Sequence, residues 1–282
     1  MRPKVILVEG LPGFGKSTTA QLVYEILVEH KVEAHLFVEG NLEHPADYDG
    51  VACFEEAEYE QFLHSYAKYN ELISNFTRTY EGHYLLEYRK MSNEQNTELP
   101  WELLDIASRK DMYELPLADN RQWIIAKWRQ FAQQASRENV TYIFECAFIQ
   151  NPVTVGMIKY DAPEQEVASY VAELAMQVEE LNPLLIYVQQ QHLEQAFRKV
   201  VQERPKEWSE GFMEYYTTQG FGKNRGYSGL EGTLQVLKHR LELEQRIYES
   251  LDLAKIKVDN SAYDRKHYKD VLTGLLSAYL HK

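Results

Sequence analysis

The sequence predicts an α/β protein built on a five-stranded parallel sheet, and three observations carry that prediction. Short all-apolar runs such as Val5–Val8 and Leu184–Val188 read as strands buried on both faces. Stretches with apolar residues three and four apart, such as Val167, Val171, Leu174, Val178 and Leu181, read as helices. The two kinds alternate along the chain, which gives parallel strands joined by right-handed crossovers.

The first strand ends at Gly10, where the pattern G-x-x-x-x-G-K-[ST] begins and runs through Gly15, Lys16 and Ser17. It then enters an amphipathic helix, with Ala20, Val23 and Leu27 on one face, ending near His30. This is the phosphate-binding loop, or Walker A motif. Gly10, Gly13 and Gly15 let the backbone approach closely and point N–H groups at phosphate oxygens, and the helix N-terminus adds its positive end. Lys16 would reach the outer phosphates and Ser17 would offer its hydroxyl to Mg²⁺. Pro12, Phe14 and Thr18 complete the nucleotide-binding set. With Gly at about 7% of residues, the bare pattern arises by chance roughly once in a hundred chains this long. A Gly-rich turn opening a helix is the bland alternative. On these residues the chain resembles the P-loop NTPases. The motif starts so near Met1 that no domain is expected upstream of it.

Glu33–Val38 reads as the second strand and delivers Glu39 into a loop at the carboxyl end of the sheet, where ligands of open α/β sheets bind. Residues 45–139 form an insertion that reads as largely helical. Its first helix spans Glu55 to about Ser74, and Tyr84, Leu86 and Tyr88 suit either a hairpin after Glu81-Gly82 or a helix. Trp101–Ala107 reads as a short helix. A clearer one runs from Asn120 to Arg137, with Ile124, Trp128, Phe131 and Ala135 in a stripe. The aromatics between 59 and 131 suit core packing better than a stacking pocket.

Val140–Glu145 is the third strand. Pro163 opens the next helix and Asn182-Pro183 stops it. After the fourth strand, Leu184–Val188, a helix runs from about His192 to Gln202. Residues 203–232 then combine six glycines with Lys206, Lys223 and Arg225, which suggests a flexible flap over an anionic ligand; a plain surface loop is the alternative. A helix carrying Leu234, Leu237, Leu241 and Tyr248, the last strand at Lys255–Val258, and a helix with Tyr268, Val271, Leu272, Leu275 and Tyr279 on one face close the chain.

A formal charge of −13 argues against a nucleic-acid or membrane surface, both of which reward clustered positive charge. Cys53 and Cys146 occur in no metal or redox spacing and read as small buried side chains suited to a reducing compartment. With no signal peptide and no apolar run long enough to span a bilayer, a cytoplasmic protein is expected.

Strand count and spacing resemble the P-loop kinases of the nucleoside monophosphate, thymidylate and deoxynucleoside kinase group. That resemblance implies a three-layer sandwich with sheet order 2-3-1-4-5, a single domain over residues 1–282, and a cationic lid between the last two strands. It also implies ATP and Mg²⁺ as cofactors, and a small-molecule acceptor whose identity the insertion would set. Glu145 matches the place of an acidic residue near Mg²⁺, though Cys146 follows it where deoxynucleoside kinases have Arg. Glu39 matches the acceptor-hydroxyl base. Arg198, Lys199 and Arg204 follow the fourth strand, where lid cations approach the transferred phosphate. Asn260, Ser261 and Tyr263 follow the last strand, where this class often holds the adenine edge. A regulatory ATP-binding protein without an acceptor is the competing reading. A GTPase is disfavoured: Asp47-Tyr48-Asp49-Gly50 gives only a misplaced D-x-x-G, and no N-K-x-D is present.

Overall fold

A computed structural model of the chain describes residues 2–94, 98–262 and 264–280. The chain divides into two compact units, Met1–Glu39 with Trp128–Lys282, and Gly40–Lys127. The first stretch supplies β1 (Val5–Glu9), α1 (Lys16–Glu29) and β2 (Ala34–Phe37). The second unit holds β3 (Ala52–Phe54), α2 (Glu56–Ser65), α3 (Asn70–Asn75), β4 (Thr77–Tyr80), β5 (His83–Leu86), α4 (Tyr88–Glu94) and α5 (Trp101–Ser108). Helix α6 (Leu117–Ala135) runs across the boundary. The remainder gives β6 (Thr141–Glu145), α7 (Gln150–Val153), α8 (Glu164–Val178), β7 (Leu184–Gln189), α9 (Leu193–Glu203), α10 (Lys206–Thr218), α11 (Gly220–Asn224), α12 (Gly229–Ser250), β8 (Ala254–Asp259) and α13 (Arg265–Leu280).

In the first unit the strands pair in parallel, in the order β2-β6-β1-β7-β8. Numbering only these five strands along the chain, the order is 2-3-1-4-5. β1 lies at the centre, so all five of its residues are buried, whereas β2 and β8 at the edges are half-exposed. Ile6 and Val8 of β1 share a core with Leu22, Val23, Ile26 and Leu27 of α1 and with Tyr268, Leu272 and Leu276 of α13. The opposite face meets other helices: Trp128 and Phe131 of α6 lie edge-on and tilted against Phe144, at 5.8 and 4.8 Å between ring centroids. Tyr248 of α12 lies 5.7 Å from Tyr187. Helices therefore cover both faces, giving three layers.

The Gly40–Lys127 unit is helix-rich and also contains a small antiparallel sheet ordered β3-β5-β4. The two-residue turn between β4 and β5 is Glu81-Gly82, with φ of +49° and +78°, the left-handed pair that tight hairpins require. That resolves the open choice at residues 84–88: Tyr84 and Leu86 are in a strand and Tyr88 starts α4. The single helix expected over 55–74 is interrupted by a 3-10 turn at Ala67–Tyr69. Phe54, Tyr59, Phe62, Ile73, Leu86, Met91 and Leu103 form this unit's core.

Two further segments take these forms. The glycine-rich stretch after α9 is largely helical, folded into α10, α11 and the start of α12. Val271, read as part of the closing helix's apolar stripe, is 39% exposed, and Leu276 takes the inward position instead. Among the described residues no helix is long and apolar enough to cross a membrane.

Candidate functional site

The loop leaving β1 is held open by glycine where neighbours crowd it. At Gly15 φ is +92°, and a Cβ would lie 2.2 Å from Asn260 Nδ2; at Gly13 φ is +85°, and a Cβ would lie 2.4 Å from Val200 Cγ2 on α9. The Asn260 amide in turn donates to the Phe14 carbonyl at 3.0 Å, tying the residue after β8 to the loop. Helix α1 then starts at Lys16 with neither a capping side chain nor an acidic residue in its first turn. Its orphan N–H groups and positive end are available to an anion. Lys16 is buried and donates from Nζ to the Leu11 carbonyl at 3.1 Å. Burial disfavours its ammonium, but the Cys146 sulfur, Glu39 and Glu145 outweigh that, so its pKa is raised.

Sheet order explains what surrounds it. β6 lies between β1 and β2, so the ends of these strands bring Glu145 and Glu39 beside the loop, although 106 residues separate them. Ser17 Oγ donates to Glu145 Oε1 at 2.6 Å, and the Glu39 backbone N–H donates to Glu145 Oε2 at 3.3 Å. The Glu39 carboxylate is exposed yet oriented, with Gln150 Nε2 donating to Oε1 at 2.8 Å and Cys146 Sγ lying 3.7 Å from Oε2. One ligand atom each from Glu39, Glu145 and Cys146 all lie within 4.8 Å of one another. The carbonyl Oε1 of Gln150 is buried without a hydrogen-bond partner. Two carboxylates and a hydroxyl are the hard oxygen donors that suit Mg²⁺, and the orphaned Gln150 oxygen marks unmet polar demand beside them.

Behind the loop lies Glu9, the last residue of β1 and 1% exposed. Its carboxylate accepts from the Phe148 N–H at 2.8 Å and the Gln150 N–H at 2.9 Å, so it caps the start of α7 from another element. Burial pushes its pKa up to about 7, against the lowering effect of these bonds. Arg240 of α12, also fully buried, donates to Glu244 Oε1 at 2.7 Å, to Thr154 Oγ1 at 3.0 Å and to the Gln150 backbone carbonyl at 3.1 Å, and also reaches the Tyr216 hydroxyl. Tyr187 donates to Glu244 Oε2 at 2.7 Å, so both charges of the pair are satisfied.

Three of the expected cations, Arg198, Arg204 and Arg225, have other partners. Arg198 pairs with Glu194 and Glu231 at 3.0 and 2.5 Å, Arg204 lies over Trp208, and Arg225 pairs with Asp161 at 2.8 Å. Lys199 lines a cavity of about 230 Å³ together with Gly13, Gly15, Thr18, Asn260 and Tyr268, on the side of the loop facing α9 and α13. Tyr263 lies outside the described residues, while Ser261 accepts from the Gln191 N–H at 2.8 Å. Pro12 is half-buried and Phe14 sits in the core beneath the loop.

The structure therefore brings together Gly10 to Thr18, Glu39, Glu145 and Asn260, and leaves Arg198 and Arg204 on other partners. Sequence reasoning missed Glu9, Gln150, Arg240 and Tyr268. A charged residue closing an all-apolar strand was a usable signal for Glu9; for Gln150 and Arg240 there was none.

No protein-family model matches the chain, and no curated protein matches it. Among solved structures, a thymidylate kinase from Candida albicans is similar at 13% identity and a TM-score of 0.45, over 100% of this chain and 94% of that one. At that score the superposition is loose, and the functional reading rests on the residues themselves.

Proposed function

We propose that the chain is an ATP-dependent small-molecule kinase that transfers the γ-phosphoryl group of Mg-ATP to a hydroxyl or phosphate acceptor, with nucleosides and nucleotides the first class to test. One observation carries the reading. An uncapped helix N-terminus, a buried Lys16 and the linked pair Ser17–Glu145 converge at the carboxyl end of a parallel sheet, with Glu39 alongside. The loop N–H groups and Lys16 hold the phosphates, and Ser17 and Glu145 would hold Mg²⁺. Bound there, Mg²⁺ neutralises charge on the phosphates. Glu39 is exposed and held by Gln150, which suits a base that accepts the acceptor's hydroxyl proton. Asn260 and the cavity beside Gly15 suit the adenine edge. Residues 203–232 would supply cations that close over the phosphates.

A second reading, an ATP-binding protein without an acceptor, is favoured by the engagement of Arg198 and Arg225 with carboxylates. Measuring ADP release against a panel of nucleosides, nucleotides and other small alcohols decides between them. Acceptor-dependent release that vanishes in Lys16→Met supports the kinase. Nucleotide binding without such release supports the second reading, and no nucleotide binding contradicts both.

A further inference from the structure

Cys146 is the one group at this centre for which phosphoryl transfer has no use. It takes φ of +73°, a left-handed conformation that Gly or Asn adopts more readily than other residues. The turn places a thiol, rather than a hydrogen atom or an amide, against two carboxylates. We propose that Glu39, Glu145 and Cys146 form a mixed oxygen–sulfur centre that takes a thiophilic divalent cation of the Zn²⁺ class. The inference needs only the geometry of these side chains and does not depend on the chain being a kinase.

Geometry and charge both fit. Zinc binds thiolate sulfur at about 2.3 Å and carboxylate oxygen at about 2.1 Å, so two such ligands of a tetrahedral ion stand about 3.6 Å apart. Cys146 Sγ and Glu39 Oε2 stand 3.7 Å apart. The third ligand atom, from Glu145, lies within 4.8 Å of both. An independent observation points the same way: Gln150, 7% exposed, donates to Glu39 from Nε2 and leaves its own Oε1 buried without a partner. Half a turn of that amide gives up its hydrogen bond to Glu39 and offers the oxygen as a fourth donor. On binding, the S–H bond breaks, the sulfur–metal bond forms and one proton leaves to solvent. Two carboxylates and a thiolate then carry three negative charges, matched by the cation and Lys16. Mg²⁺ prefers oxygen ligands and makes little of the sulfur, so a thiophilic ion competes for the same carboxylates with an advantage that resides in Cys146.

The test is a titration of the untagged, metal-stripped, nucleotide-free chain with Co²⁺, followed by displacement with Zn²⁺. We expect a thiolate-to-cobalt charge-transfer absorption that saturates at one equivalent and is bleached by Zn²⁺. It should disappear in Cys146→Ser, persist in Cys53→Ser, and need at least tenfold more Co²⁺ in Glu39→Gln. Cys53 is the chain's other cysteine, so the two serine variants together assign the sulfur. No such absorption in the wild type, or one that survives Cys146→Ser, overturns the centre. Should Cys146→Ser not fold, X-ray absorption of the Zn²⁺-loaded wild type decides: one sulfur at about 2.3 Å supports the proposal, and a shell without sulfur overturns it. Because no nucleotide is present, failure here leaves the proposed nucleotide site standing, and failure to bind nucleotide leaves this centre standing.

Discussion

Ser17 and Glu145 meet at 2.6 Å, the hydroxyl donating to the carboxylate, and so join the first turn of α1 to the end of β6. A hydroxyl and a carboxylate in that relation can exchange their mutual hydrogen bond for a shared cation. Glu39, two residues beyond the end of β2, donates its backbone N–H to Glu145 and keeps its own carboxylate exposed.

These two carboxylates should separate in kinetics. Glu145→Gln keeps the shape but removes the charge, and the Mg²⁺ concentration for half-maximal turnover is predicted to rise about 10- to 100-fold. Glu39→Gln is predicted to lower kcat by about 10²- to 10⁴-fold while Mg-ATP affinity stays within about twofold. Full activity in both variants defeats the assignment.

The loop glycines should be intolerant where a helix glycine is not. Gly15→Ala places a methyl 2.2 Å from Asn260 Nδ2 at φ of +92°, and a loss of about 1–3 kcal/mol with impaired nucleotide binding is expected. Gly274→Ala, within α13 and with nothing within 4 Å of the new Cβ, should instead stabilise by about 0.5–1 kcal/mol. Urea unfolding of the two variants reads both; equal effects would remove the crowding argument.

Glu9 makes stability depend on pH. Its folded pKa of about 7 lies above the unfolded value of 4.5, so the folded chain keeps this proton longer. The stabilisation is fully present below about 4.5 and is lost as pH rises through about 7, a change of about 3 kcal/mol. Other buried groups titrate in the same range, so the quantity to follow is the difference between wild type and Glu9→Gln. That difference should shift against the wild type between pH 5 and 8. A pH-independent difference places the Glu9 pKa elsewhere.

The flap proposal concerns residues 203–232. Arg225 is held by Asp161 and Arg198 by Glu231, pairs that are exposed and therefore cheap to break. Amide exchange across this segment should slow when an Mg-ATP analogue and acceptor are both bound. Equal exchange in both states removes a closing lid from the mechanism.

The parts of this molecule that were legible in the sequence are those set by local pattern. β1 is an unbroken apolar run because it is the central strand, buried on both faces, and the loop after it is spelled by a spacing that few other structures need. Glu39 and Glu145 could be nominated because strand ends are predictable. That they lie side by side depends on strand order, which periodicity does not encode. Within residues 45–139 the helices and the Glu81-Gly82 hairpin are legible, but β3 is not: it is only Ala52–Phe54, too short for alternation to register, and its partner lies some thirty residues away. The flap read as loop because glycine lowers helix propensity, yet Gly222 and Gly232 are helical, and both sit where a Cβ would meet backbone atoms at 2.2 and 2.8 Å. Those two glycines are there for close packing. The buried Arg240–Glu244–Tyr187 group draws on two distant elements, so no window of sequence contains it.

The most direct test of the nucleotide site is the affinity for an Mg-ATP analogue measured by calorimetry in wild type and in Lys16→Met, which keeps most of the aliphatic stem in its buried slot and removes only the ammonium. A charge-assisted contact to phosphate is worth about 1.5–3 kcal/mol, so affinity should fall about 10- to 100-fold while the circular dichroism spectrum and the unfolding midpoint change little. Unchanged affinity in a folded Lys16→Met chain would contradict the reading of Gly10 to Ser17 as a phosphate-binding loop.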